Sequence, residues 1–219
     1  MNKTYTYSFL ALALTLVLCF FVNISLGSVS IPLKAVFNSL LNSNVEQQSW
    51  QHIILNYRLP KAITAIIVGS GLGISGLLMQ TLFRNPLAGP FVLGISSGAS
   101  LGVALVILGS GVFGGVLASL FVSKWGIVIA ASLGSFLVLL AVLMVSIRVR
   151  DTMAILIIGL MFASITAAIV SVLSYFGSAE QLQQYVFWGG FGSLGNLSWS
   201  DLTIFLIIYV LGILASLCS

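Results

Sequence analysis

Charge is scarce in this sequence, because only 5% of its 219 residues are Asp, Glu, Lys or Arg, against about 25% in ordinary soluble domains. The apolar fraction is 59% and the mean hydropathy is +1.19. So few charges cannot cover the surface of a soluble fold, so lipid must be the solvent for much of the chain. There is one histidine, His52, which excludes a multi-histidine metal site within the chain. The four acids, Glu46, Asp151, Glu180 and Asp201, all sit at or beyond the ends of apolar runs. None can act as a mid-membrane proton relay, so membrane proteases and proton-coupled carriers lose ground. Cys19 and Cys218 lie inside apolar stretches and read as small lipid- or core-facing residues rather than a disulfide. The net charge of +4 comes from scattered single residues, so nucleic acid is not an expected partner and membrane lipid is.

Long apolar runs fill most of what remains. A span needs about 20 mostly apolar residues, and Tyr7–Leu26, Ala62–Phe83, Phe91–Leu108, Ile127–Ile147, Met153–Phe176 and the shorter Leu202–Leu217 qualify. The first run is too long for a signal-peptide core and no A-x-A follows it, which predicts a retained span. Gly27–Lys61 is a polar interlude. Gly109–Lys124 has an apolar core, Val116–Val122, too short to cross, and Gly177–Ser200 reads as a glycine- and aromatic-containing loop. The expected fold class is therefore an all-α integral membrane protein of about six transmembrane helices, in one domain over residues 1–219. Charge does not orient it. Lys3, Arg84, Arg148 and Arg150 fall on one side and Lys34, Arg58, Lys61 and Lys124 on the other, a tie under the positive-inside rule.

Gly71-Leu-Gly73-Ile-Ser-Gly76 matches G-x-G-x-x-G, but it lies in mid-span, where no pyrophosphate could be solvated. Helix packing is the better reading. Gly69 and Gly73 are four apart, as are Gly94, Gly98 and Gly102, and that spacing lets a neighbouring backbone approach closely. The chain has no G-x-x-x-x-G-K-[S/T] motif, so it is expected to hold no cofactor, and any ATP would be bound by a separate subunit.

Several segments occur in an unusual combination: Arg58-Leu-Pro-Lys61, the glycine-rich span, Met79-Gln80, Arg84-Asn-Pro-Leu-Ala-Gly-Pro90 and Val92-Leu-Gly-Ile-Ser-Ser-Gly-Ala99. Together they resemble the permease family of ABC importers for iron–siderophores, haem and vitamin B12, often called FecCD. Trp188-Gly-Gly-Phe-Gly-Ser193 with Trp199 adds a later stretch of the same likeness. The resemblance runs from about residue 25 onward and implies a fold of about ten spans with both ends in the cytoplasm. This chain would supply the first six and would stop before the cytoplasmic coupling helices, as a truncated or partial sequence. The implied activity is transport without chemistry, in a bacterial cytoplasmic (inner) membrane. The implied partners are ABC ATPase subunits, a soluble or lipid-anchored substrate-binding protein and a second permease copy, as a homodimer. The rival class is a transport-incompetent membrane remnant or scaffold. A membrane-embedded enzyme would need convergent polar residues at one depth, and none is found.

The resemblance also assigns roles. Arg58 and Lys61, three apart on an incipient helix, would meet acidic side chains of the binding protein. An arginine grips a carboxylate bidentately, whereas lysine offers a point charge. Plain anchoring at the headgroups is the alternative. Arg84, Asn85, Pro86 and Leu87 would form a cytoplasmic turn, with Asn85 and Leu87, and Thr152 at the start of the fifth span, near the gate of the path. The alternative there is an ordinary turn and an N-capping threonine. Ser164, Thr166, Ser171 and Ser174 would line the path, although such hydroxyls commonly bond their own backbone.

Overall fold

The computed structural model describes residues 3–41, 47–109, 123–149, 151–190 and 197–218, and among them there is no strand. In chain order the helices are α1 (Lys3–Ser25), α2 (Leu33–Leu40), α3 (Gln48–Ile53), α4 (Leu59–Phe83), α5 (Ile95–Ile107), α6 (Lys124–Ser146), α7 (Thr152–Phe176), α8 (Ala179–Tyr185) and α9 (Trp199–Cys218). Single π-helical turns occupy Ile54–Arg58 and Val186–Gly190, and a 3₁₀ turn covers Pro90–Leu93. Five helical stretches are long and apolar enough to cross a membrane: Tyr5–Ser25, Gln48–Phe83, Lys124–Ser146, Met153–Phe176 and Trp199–Cys218.

The run expected as a span over Phe91–Leu108 is shorter in the structure. Gly94 adopts φ +78, the left-handed region, and breaks the 3₁₀ turn from α5, which keeps 13 residues. At 1.5 Å per residue that is about 20 Å, short of a hydrocarbon core of about 30 Å. The polar interlude is also more ordered than its composition implies. Pro32 precedes the amphipathic α2, which buries Ala35, Val36 and Ser39, and Pro60 is the second residue of α4, directly after the π-turn. In the stretch read as a loop, Ser178 and Gln181 form a reciprocal capping box that starts α8. The apolar core at Val116–Val122 lies outside the described residues.

The chain divides into two compact units. Met1–Gly71 with Leu194–Ser219 makes the first, and Leu72–Ser193 the second. The core of the first is Ile24, Ile31, Ala35, Val36, Ile54 and Ala62, with Phe20, Phe21 and Trp50 against it. In the second, Phe83, Ala88, Leu93, Val142 and Leu156 form one cluster and Val103, Ile107 and Ile127 another. Most large apolar side chains of the long helices instead face outward, such as Leu77, Ile157 and Ile208. That is the inverse of a soluble core and fits a lipid solvent.

Glycine sets the packing of α5. A Cβ on Gly98 would stand 2.6 Å from the carbonyl oxygen of Gly134, and one on Gly102 would collide with the carbonyl of Ala130. Backbone therefore meets backbone along α5 and α6, and the Ser135 hydroxyl donates to Ile95 O at 2.9 Å across the same seam. Gly94 faces the Val138 side chain and the Gly159 carbonyl. Gly69 and Gly73 are placed otherwise. No described atom lies within 4 Å of where their Cβ would be, so the same spacing marks an open face of α4.

Candidate docking and gate regions

Arg58 and Lys61 belong to the first unit and border one groove of ≈ 400 Å³, with Asn23, Gly27, Ser28, Val29 and Tyr57. The two side chains are used differently. The Arg58 Nη1 donates to Ile24 O at 2.7 Å and Ser25 O at 2.8 Å, and its Nη2 donates to Val29 O. Lys61 is exposed, and no described residue bonds its ammonium group.

The π-turn that ends at Arg58 leaves one carbonyl open. Pro60 has no N–H, so an i→i+5 pattern leaves the Leu55 carbonyl without its helical donor. The Trp199 indole Nε1 donates to that carbonyl at 3.0 Å. Trp199 opens α9, whose first turn is held by Asp201: its carboxylate accepts from Ser198 N at 2.8 Å and from the Ser198 hydroxyl at 2.7 Å. Farther along α9 the Tyr209 and Ser70 hydroxyls are 2.8 Å apart, and Gly71 leaves room for the Tyr209 ring. Neither the acceptors of Arg58 nor the target of Trp199 has a sequence signature, since all are backbone carbonyls. Gly27 and Pro60 were the available signals.

In the second unit, α4 ends in a Schellman turn. Asn85 N donates to Gln80 O at 3.1 Å and Arg84 N to Thr81 O at 3.3 Å, with Arg84 at φ +46. Glycine usually occupies that position, because a left-handed L-residue costs about 1–2 kcal/mol. Arg84→Gly is accordingly expected to stabilise the protein by about 1 kcal/mol, raising the Tm by about 2–4 °C in a thermal unfolding measurement. A fall in Tm would mean that the arginine side chain contributes more than its backbone costs.

The Asn85 carbonyl oxygen accepts from Leu87 N at 2.9 Å, and its amide lies 3.7 Å from the Met153 sulfur. The turn after α4 thus touches the first turn of α7, which Thr152 opens. Asp151, not Thr152, is the N-cap of α7: its carboxylate accepts from Met153 N at 3.0 Å. Pro86 is exposed, and Leu87 is 87% exposed at the tip of the turn. Asn85 therefore sits between an outward-facing leucine and the first turn of α7.

Along α7, Ser164 bonds Leu160 O and Ser171 bonds Ala167 O, each at 2.9 Å, and both residues face outward on one side of the helix. Thr166 is buried and bonds Phe162 O and Ala163 O, and Ser174 is half-buried. Of the four, only Ser164 and Ser171 present a polar flank away from the packed core. Cys19 and Cys218 are free and exposed, and no group of three or more metal-ligating side chains occurs among the described residues. Residues 191–196 of the glycine- and aromatic-containing loop expected over Gly177–Ser200 lie outside the described residues.

Bilayer-length apolar helices, a glycine-packed seam and, among the described residues, charged side chains confined to short helices, helix ends and turns define a multi-pass α-helical membrane protein. The chain belongs to the FecCD transport family, whose pattern matches residues 15–219. It is 37% identical over 185 residues to a hemin transport system permease protein of Yersinia pestis, covering 84% of this chain and 53% of that protein. Identity is 35% over 171 residues to a vitamin B12 import system permease protein of Klebsiella pneumoniae, covering 77% and 47%. A molybdate import system permease protein of Haemophilus influenzae is 34% identical over 210 residues, with 90% and 57% covered. The chain spans about half the length of these curated relatives, which are transport permeases and not enzymes. A solved structure, an inward-facing conformation of a metal-chelate type ABC transporter, superposes with a TM-score of 0.73 at 29% identity, over 97% of this chain and 62% of that one.

Proposed function

We propose that the chain is permease sequence of an ABC importer in a bacterial cytoplasmic membrane. It takes a metal-chelate cargo of the iron–siderophore, haem or cobalamin class from a soluble or lipid-anchored binding protein. Separate ATPase subunits supply the energy, and a second permease copy completes the path. The observation that carries this reading is the family match across residues 15–219. The geometry adds support at two places. Lys61 stands uncommitted beside a groove that also carries Asn23 and Tyr57, as a dock for acidic side chains requires. Asn85 meets the start of α7 with Leu87 exposed beside it, as a gate between two turns requires. Ser164 and Ser171 offer weak hydrogen-bonding sites along the path.

Thiol labelling tests the gate. In a Cys19→Ser, Cys218→Ser background, Leu87→Cys in the complex with its ATPase subunits is expected to change labelling rate by about tenfold between nucleotide-free and ATP-bound states. Equal rates in both states would contradict a gate at this turn.

A further inference from the structure

Helix α1 ends at Ser25 without the left-handed residue that commonly satisfies terminal carbonyls, since Gly94 and Arg84 are the positive-φ residues among those described. Its last acceptors are served from a distance. The Arg58 guanidinium reaches Ile24 O, Ser25 O and Val29 O, more than 25 positions back in the chain. It thereby places a positive charge at the negative end of the α1 dipole. Gly27 makes the approach sterically feasible: a Cβ there would stand 2.7 Å from Nη2 and 3.0 Å from the guanidinium carbon. The turn is closed from its other side by Ile31 N donating to Ser25 O at 3.1 Å and the Ser25 hydroxyl donating to Ile31 O at 2.6 Å.

We infer that Arg58 is a positioning residue, whose guanidinium locks the end of α1 and the 26–31 turn to the docking segment, and that Lys61 alone presents a free charge to an acidic partner. The inference rests on the docking reading only for what Lys61 does; the lock is a property of the chain itself. Three of the five N–H donors of Arg58 are committed to backbone acceptors. An incoming carboxylate would have to compete with those carbonyls for Arg58, whereas the Lys61 ammonium is uncommitted. The Trp199 bond to Leu55 holds the other side of the same π-turn, so the segment bearing Lys61 is tied both to α1 and to the first turn of α9.

Hydrogen–deuterium exchange on the protein in lipid nanodiscs, with no partner present, separates the two roles. The Ile31 amide, bonded to Ser25 O, is the reporter. Arg58→Ala is expected to raise exchange over residues 26–31 about tenfold, and Arg58→Lys by less, because one ammonium replaces part of the fork. Lys61→Ala should leave these amides at the wild-type rate. Gly27→Ala, which crowds the guanidinium while keeping its charge, should raise exchange like Arg58→Ala and stands in if that variant does not fold. Unchanged exchange over 26–31 in Arg58→Ala and in Gly27→Ala would overturn the inference. Because no binding protein enters the measurement, this failure is distinct from failure of docking.

Discussion

Gly102→Val is expected to destabilise the protein by about 3 kcal/mol, the upper end of ordinary overpacking costs, and to lower the Tm by about 6–12 °C. A Cβ at residue 102 falls on the Ala130 carbonyl and 2.8 Å from its carbon, and these are backbone atoms of α6. A clash with the far end of a side chain can relax by a rotamer change. One with a packed backbone requires α5 and α6 to separate. Separation would also break the approach of Gly98 to Gly134 and pull the Ser135 hydroxyl from Ile95 O. The comparison that gives the prediction its force is Gly73→Val on α4, where no described atom lies within 4 Å of the new Cβ. There the Tm should stay within a few degrees of wild type. Equal losses from the two variants in a thermal unfolding series would show that glycine content, rather than the α5–α6 seam, sets the sensitivity.

The contrast between these glycines marks how far the sequence could be read. Composition and run length located the bilayer-length helices α1, α4, α6, α7 and α9 to within a few residues. Hydrophobic run length could not place the break at Gly94, because Phe91 through Leu108 carries no charge and a left-handed glycine leaves no trace in hydropathy. The spacing Gly69–Gly73 and Gly98–Gly102 is identical, yet only the second pair meets a neighbour. Periodicity reports which residues share a face, not what that face touches.

The candidate site was legible to the same degree. The motif around Arg58, Lys61, Asn85 and Leu87 pointed to two functional turns, and the structure places Arg58 with Lys61 on one groove and Asn85 beside Met153. The different uses of Arg58 and Lys61 could not be foreseen, since the acceptors that occupy Arg58 are peptide carbonyls. The capping box at Ser178 and Gln181 was readable and would have split the loop read over Gly177–Ser200. Asp151 was readable as a cap as well, one residue before the threonine considered for that role.

The second large effect is expected at the docking end. Arg58→Glu with Lys61→Glu should abolish association with the cognate binding protein, because juxtaposed like charges cost several kcal/mol at an interface. Two contributions act together. The Lys61 change turns the uncommitted charge of the groove against an acidic partner, and the Arg58 change removes the lock on the end of α1. Single variants separate them. Lys61→Glu alone should prevent association while residues 26–31 keep their wild-type exchange. Arg58→Lys should weaken association only in part, since a cation remains at the end of α1. Raising ionic strength should weaken wild-type binding, as expected where exposed charges meet.

Binding of the cognate substrate-binding protein to the nanodisc-embedded complex, wild type against Lys61→Glu and the double reversal, therefore tests the central claim most directly. Membrane insertion should be equal in all three. The expected result is saturable binding to wild type and none detectable for either variant; unchanged affinity in both would contradict a dock at this groove.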